Sequence, residues 1–364
     1  MRIIILLFFV INLFANDINT TELNNTDLNN TTQNEFNDID TPTDIFTLDL
    51  SNQNEENITQ DIIDDNDYNM DIAIILDKNK FFEFIPSLLN SINAYMIKKD
   101  INYHIHIFNQ EKNLTQELNN ITPNYKYIFT YFTNPENIKI LNNYPNNYFF
   151  VPTLNKYQIH FQTNNNIFFG GINYKSQIQH LNQYISNYAM IVYDNSDISR
   201  YITTLLDETL LEPHKIVKYP IRDLNEFNQT FVYLNTQIVN TAQILSNFTY
   251  KEIDTKAVFS TQLNYTPTLF SLTNPEDVDN FIIANSILDI SPIVEDNNLN
   301  LGSDIDFNWL DFTTSALLNI ANNIETLDDV SFVNDFGIYM FYNQVFYKTN
   351  LYKIFQNGFI KIEN

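Results

Sequence analysis

Few residues of this 364-residue chain carry the side chains that catalysis uses. It has no cysteine, so neither a thiolate nucleophile nor a thiolate metal ligand is available. Its five histidines are scattered except for His104 and His106. These two alternate, so on a strand they face the same side, and with a third ligand they could hold zinc. No such third ligand stands at a suitable spacing, and half-buried or surface histidines are the better expectation. Gly-x-Ser-x-Gly, Gly-x-x-x-x-Gly-Lys and Gly-x-Gly-x-x-Gly are all missing from a sequence with only five glycines. The paired carboxylates Asp64-Asp65 and Asp328-Asp329 fall in polar connecting segments and read as solvated charge. The expectation is a protein that is not an enzyme, with no catalytic residue, no metal and no cofactor.

What remains is a set of polar groups at the ends of expected strands. In an open α/β sheet a ligand sits beyond the carboxyl ends of the strands. That rule nominates Asp77, Asn109, Thr133, Thr153 and Asn155 in one half of the chain. In the other half it nominates Asp194, Asn195, Asn235, Thr236, Thr261 and Gln262. Such groups could hydrogen-bond a small polar ligand, although loop solvation alone also makes strand ends polar. No Arg or Lys stands at these ends to clamp a carboxylate, apart from Lys78 and Lys156 just beyond them.

The elements that would position these residues begin abruptly at Asp71. Strands are expected at 71–77, 103–109, 126–132, 148–154 and 167–169. Helices are expected at 81–98, with Pro86 in the first turn, near 112–121, and at 135–143. A second series follows, with helices at 175–187, 197–210 and 237–248. Its strands are expected at 189–194, 215–221, 231–235, 256–261 and 281–284. An amphipathic helix is read at 309–324. The aromatic end, 337–363, alternates, and Gln356-Asn357-Gly358 marks a hairpin turn. The fold class is α/β with parallel sheets.

Two βα series, the second returning to the first, resemble the type I periplasmic binding protein fold over about residues 71–330. The most specific stretches are Phe231-Val232-Tyr233-Leu234-Asn235-Thr236, Lys256 to Gln262 and Asn280 to Ser286. They resemble the C-terminal domain of LpoA-type proteins, which activate peptidoglycan synthases, and more broadly the branched-chain amino-acid receptors. Phe150-Val151-Pro152-Thr153-Leu154 resembles the strand before the first-lobe ligand loop, and Trp309 to Ala321 a late helix of that family. The resemblance implies two lobes, each a doubly wound parallel sheet, joined by crossover strands. The first lobe would span 71–174, with 284–330 returning to it, the second 175–283, and C-terminal β strands 331–364. The receptors carry Ser or Thr in tandem after the fourth strand, where this chain reads Asn155-Lys156-Tyr157. Where they often carry Tyr-Gly, it reads Asp194-Asn195-Ser196-Asp197.

Charge and the N-terminus bound the setting. The formal net charge is −25. Residues 16–69 hold 14 acidic residues and no Lys or Arg, and residues 70–364 hold 30 acidic against 18 basic. A nucleic-acid partner needs a basic stripe, so none is expected, and anionic membranes are disfavoured likewise. Arg2 and the apolar run Ile3–Phe14 read as a signal peptide over 1–15. No lipobox cysteine follows, so a lipoprotein is not expected, nor is a membrane span once the signal is removed. Residues 16–70 read as a disordered Asn/Thr-rich tether in which Ile45-Phe46-Thr47-Leu48 is the one apolar piece. Asn19, Asn24, Asn29 and Asn57 each follow an acidic residue at −2 and precede x-Thr, resembling the extended acceptor sequon of bacterial N-glycosylation. Asn113 and Asn228 repeat the pattern in the folded part. The expectation is a periplasmic, non-catalytic interaction or scaffold module with an envelope protein partner, in wall synthesis or a motor. The alternative is a solute receptor for a small polar metabolite such as an amino acid.

Overall fold

This computed structural model describes residues 70–110, 113–287, 290–326, 330–333 and 336–362. The signal, nearly all of the acidic tether with Asn19, Asn24, Asn29 and Asn57, and both carboxylate pairs lie outside the described residues.

The first series runs β1 (Met70–Leu76), α1 (Lys78–Phe81), α2 (Ile85–Lys99), β2 (Tyr103–Asn109), α3 (Leu114–Ile121), β3 (Tyr127–Thr130), α4 (Ile138–Leu141), β4 (Tyr148–Val151) and β5 (Ile167–Phe169). In β1 five consecutive residues, Ile72 to Leu76, are buried, as a central parallel strand covered on both faces requires. The helix read from residue 81 divides around Phe82–Phe84. Pro86 has no N–H for a carbonyl one turn earlier, but it suits the first turn of α2. Pro152 likewise stops β4 at Val151, three residues before the expected end.

The second series runs α5 (Tyr174–Asn182), β6 (Ala189–Tyr193), α6 (Asp197–Thr209), β7 (His214–Lys218), β8 (Phe231–Asn235), α7 (Ile238–Tyr250), β9 (Ala257–Ser260), α8 (Thr268–Leu272) and β10 (Phe281–Asn285). β7 is shorter than the read 215–221, since the Tyr219 N–H bonds Tyr193 and Pro220 then offers no donor. The chain ends α9 (Pro292–Asn300), α10 (Trp309–Asn322), β11 (Val330–Val333), β12 (Ile338–Phe341), β13 (Gln344–Phe346), β14 (Asn350–Phe355) and β15 (Gly358–Lys361).

These strands form two sheets, ordered β11-β12-β13-β5-β4-β3-β1-β2 and β15-β14-β10-β9-β8-β6-β7. Both are dominated by parallel pairs. Antiparallel pairing is confined to the late strands β11–β13 and to β10-β14-β15. Each sheet has an apolar layer on both faces, so there are two lobes. The α10 helix is read as amphipathic, yet Leu310 to Ala321 are all buried, its Asp, Thr and Ser included. It packs between α2 and the first sheet, so the apparent wet face is a buried polar seam. There Ser91 Oγ meets Ser315 Oγ at 2.7 Å and Tyr131 Oη meets Thr314 Oγ1 at 2.9 Å.

The chain passes between lobes three times: after β5, between β10 and α9, and between β13 and β14. The first passage needs glycine. A Cβ on Gly170 would stand 2.7 Å from Leu317, and one on Gly171 2.2 Å from the backbone of Leu154. At the passages, Gln177 Nε2 donates to Gln262 Oε1 (2.6 Å) and Ser286 Oγ (2.9 Å), and Thr349 Oγ1 meets Ser286 Oγ and Ser176 Oγ at 3.3 Å each.

Candidate functional site: the strand ends between the lobes

The first-lobe candidates are each held by a neighbouring strand end or loop. Asp77 caps α1, its carboxylate accepting from the Asn79 N–H, and Asn109 Oδ1 accepts from the Lys78 N–H at 3.0 Å. Thr133 Oγ1 accepts from Lys80 Nζ, and Thr153 Oγ1 donates to the Phe132 carbonyl at 2.6 Å. Asn155 is buried. Its Nδ2 donates to the Gly171 carbonyl, its Oδ1 accepts from the Tyr157 N–H, and its own N–H donates to Gln158 Oε1. This capping box fixes the turn after β4. Lys156 turns towards the end of the chain, its N–H reaching Gln344 Oε1 and its Nζ the Tyr342 carbonyl. Burial lowers its ammonium pKa.

The same turn aims Tyr157 across the gap between lobes. Its hydroxyl lies 2.7 Å from that of Tyr201 on α6, and the Tyr201 ring meets Tyr174 of α5 edge-on at 6.4 Å. Burial raises the pKa of all three phenols above the ordinary tyrosine value, so the bridge is neutral at physiological pH. Nothing local in the sequence marks Tyr201. Tyr157 stands in a tripeptide visible as a departure from the receptor pattern.

In the second lobe, Asp194 ties two loops together. Its carboxylate accepts from the Ser196 N–H (3.0 Å) and hydroxyl (2.7 Å), the Gln237 N–H (2.6 Å) and Asn240 Nδ2 (3.1 Å). Burial works to raise its pKa, but these bonds outweigh it and hold the group below the usual carboxylate value. Asn195 beside it is exposed. Thr236 Oγ1 meets Thr241 Oγ1 at 2.7 Å, and Gln262 is bound into the passage network.

Asn235 and Thr261 differ from the rest. β8 and β9 pair in register through Tyr233 and Phe259, so the next pair on that face is Asn235 beside Thr261. Both are fully buried. Asn235 Nδ2 donates to Thr203 Oγ1 at 3.2 Å, whereas Asn235 Oδ1 and Thr261 Oγ1 have no hydrogen-bond partner among the described residues. The five described surface depressions lie elsewhere, none lined by a strand-end candidate.

The remaining candidates are dispersed. His106 Nε2 lies 3.1 Å from His104 Nδ1 on edge strand β2, with Asp71 at 3.9 Å from His104. Among the described residues no group of three or more His, Cys, Asp or Glu side chains could hold a metal. His180 contacts the Ser176 carbonyl, His214 pairs with Asp207 at 2.9 Å, and His160 is exposed. Asn113 is exposed and caps α3. Asn228 is exposed, but the Thr230 of its sequon is buried and donates to the Phe227 carbonyl.

Two doubly wound lobes joined by three passages define the type I periplasmic binding-protein fold, and solved structures of that class match this chain. A putative branched-chain amino acid ABC transporter protein from Rhodospirillum rubrum matches with a TM-score of 0.59 at 9% identity, over 80% of this chain and 99% of that one. An ABC transporter substrate-binding protein from Desulfitobacterium hafniense, solved in complex with Leu, matches at 0.56 and 9%, with 80% and 99% covered. The C-domain of LpoA from Haemophilus influenzae, a regulator of PBP1A, matches at 0.54 and 10%, with 80% and 100% covered. At such identities the likeness is one of fold. No family model matches the chain, and no curated protein matches it in sequence. No helix among the described residues is long and apolar enough to cross a membrane.

Proposed function

We propose that this protein is a non-catalytic interaction module of the cell envelope, exported to the periplasm, that holds its lobes together through its own side chains and works by binding a protein partner. One observation carries the reading. The turn after β4, which precedes the gap between lobes, is occupied by Asn155, Lys156 and Tyr157, and Tyr157 bridges directly to Tyr201. Here side chains of the chain itself join the two lobes. The LpoA C-domain, described as a regulator of PBP1A, supports such a role for this fold. Wall synthesis is accordingly the assembly we favour, ahead of a motor.

A second reading, a receptor for a small polar metabolite such as an amino acid, is favoured by the unpartnered Asn235 Oδ1 and Thr261 Oγ1. A thermal-shift screen against the amino acids separates the two. The module should show no shift, and in-cell crosslinking should capture an envelope protein. A ligand at a hundred times its Kd stabilises by about 2.7 kcal/mol, so a shift of several degrees with any amino acid would overturn the module reading. Tyr157→Phe should cost about 1 kcal/mol, the scale of one hydrogen bond. An unchanged melting temperature in that variant would remove the bridge as an argument.

A further inference from the structure

The three passages between the lobes are bound at both of their ends. At the second-lobe end the tie centres on Gln177, which is fully buried in α5, just past the first passage. Its Nε2 donates to Gln262 Oε1 and Ser286 Oγ, and its Oε1 accepts from the Gln262 N–H at 3.0 Å. Ser286 belongs to the second passage, and its own N–H reaches Gln262 Oε1 at 3.3 Å. Thr349, in the third passage, meets the hydroxyls of both Ser286 and Ser176. One hydrogen-bond network therefore joins all three passages, and Gln177, Gln262, Ser286 and Thr349 are all buried in it.

The first-lobe ends are bound as well. Tyr347 of the third passage donates its hydroxyl to the Gly170 carbonyl of the first at 2.7 Å, and its ring lies against Phe312 of α10 with centroids 5.5 Å apart. Gly171 donates its N–H to the Leu154 carbonyl at 3.0 Å, and its carbonyl accepts from Asn155 Nδ2 at 2.9 Å. In the second passage the Asn285 amide bonds both the N–H and the carbonyl of Ile287, and Ile287 and Ile290 are buried in the first-lobe core. A hinge works where a few residues can change φ and ψ freely. Here a rotation between lobes has to change three passages together. It also leaves buried polar atoms such as those of Gln177 unpaired, which costs more than a hydrogen bond between them is worth in the folded protein.

We infer that the three passages form a clamp that holds the two lobes as one rigid body, so that the gap between them keeps one width whether or not a partner is bound. The inference deepens the module reading and rests on it for the partner, but the clamp itself lies in the passages and not at the Tyr157–Tyr201 bridge. A partner then meets a surface of fixed shape, and binding does not proceed through closure of the lobes.

The chain has no cysteine of its own, so spin labels on introduced pairs report without background. Glu83→Cys with Asn195→Cys spans the gap from exposed positions past β1 and β6, and Glu83→Cys with Asn120→Cys stays within the first lobe as a control. Double electron–electron resonance on the full chain should give one distance peak for the gap pair, less than twice as wide as the control. Gln177→Met and Tyr347→Phe remove polar atoms while nearly keeping the outline of each side chain. Together they should at least double the width of the gap peak or split it, and each alone carries the same test if the combination does not fold. A parent peak that is split or at least twice as wide as the control overturns the clamp, as does an unchanged peak in the folded passage variants. A gap peak that widens in Tyr157→Phe but not in the passage variants overturns the clamp and leaves the module reading standing. Stabilisation by an amino acid with an unmoved peak overturns the module reading alone, and a peak that an amino acid moves overturns both.

Discussion

Replacing Asp311 with asparagine should stabilise this protein at neutral pH. Asp311 is fully buried in the first turn of α10, between α2 and the first sheet. Its Oδ2 accepts from Ser87 Oγ and, at 2.8 Å, from Ser303 Oγ, while Oδ1 has no partner among the described residues. Burial is the main influence and pushes its pKa up to about 6; the two serines oppose it and Asp304 adds to it. A folded value above the unfolded one, near 3.9, means that the native state favours the protonated acid. The stability it contributes is therefore fully present below about pH 4 and is lost as pH rises through 6. Two units of pKa correspond to about 3 kcal/mol between those limits. Asp311→Asn keeps the shape and removes the charge, so its advantage should grow with pH to about that size by pH 7.5, and vanish or reverse near pH 4. Urea melts of both proteins at pH 4, 6 and 7.5 read this as a pH-dependent difference, in which groups common to both largely cancel. If the variant is less stable than the parent, and more so at pH 7.5 than at pH 4, the carboxylate is a stabilising ion and the reasoning fails.

Asp194 should behave in the opposite sense. Its lowered pKa contributes stability above the unfolded value near 4 that is lost as pH falls, and Asp194→Ala should cost roughly 2–3 kcal/mol at pH 7 in a thermal or urea melt. Gly171→Ala would force a Cβ to 2.2 Å from the Leu154 backbone, which cannot rotate away as a side chain can. A loss of at least about 3 kcal/mol, or failure to accumulate as folded protein, is expected, and a melting temperature within a degree of the parent would refute the close passage.

Much of the architecture was legible because its signals are local. β2, β5 and β8 occupy the residues read for them, each an apolar or alternating run between polar or turn-forming neighbours. Errors gathered at ends, and proline explains several of them, at residues 86, 152 and 220. Pairing over distance was not legible. β13 joins β5 through Gln344 and Phe169, and no periodicity in 337–363 reveals that β12–β13 belong to one sheet and β14–β15 to the other. The site followed the same division. Strand-end rules nominated Asp194, Asn235 and Thr261, because those positions follow from the strands alone. The Tyr157–Tyr201 bridge and the serines around Asp311 depend on which helix lies over which strand. The helix at 309–324 was read as amphipathic, and the partners that bury its Thr and Ser, such as Ser91, lie far away in sequence.

The division of the last strands also governs when the molecule can be finished on the ribosome. The first lobe begins with β1, yet its core includes α10, Ile338, Met340 and Val345, close to the C-terminus. The second lobe has its central strands early, but its edge pair β14–β15 comes last of all. Neither lobe can close its sheet in a nascent chain that lacks the final thirty or so residues. Such interleaved, long-range pairing is slow to form and leaves apolar strand edges open meanwhile. Completion of the first lobe therefore waits on strands that lie about 270 residues beyond its first one in sequence, and completion of the second on an edge pair that follows all of its central strands.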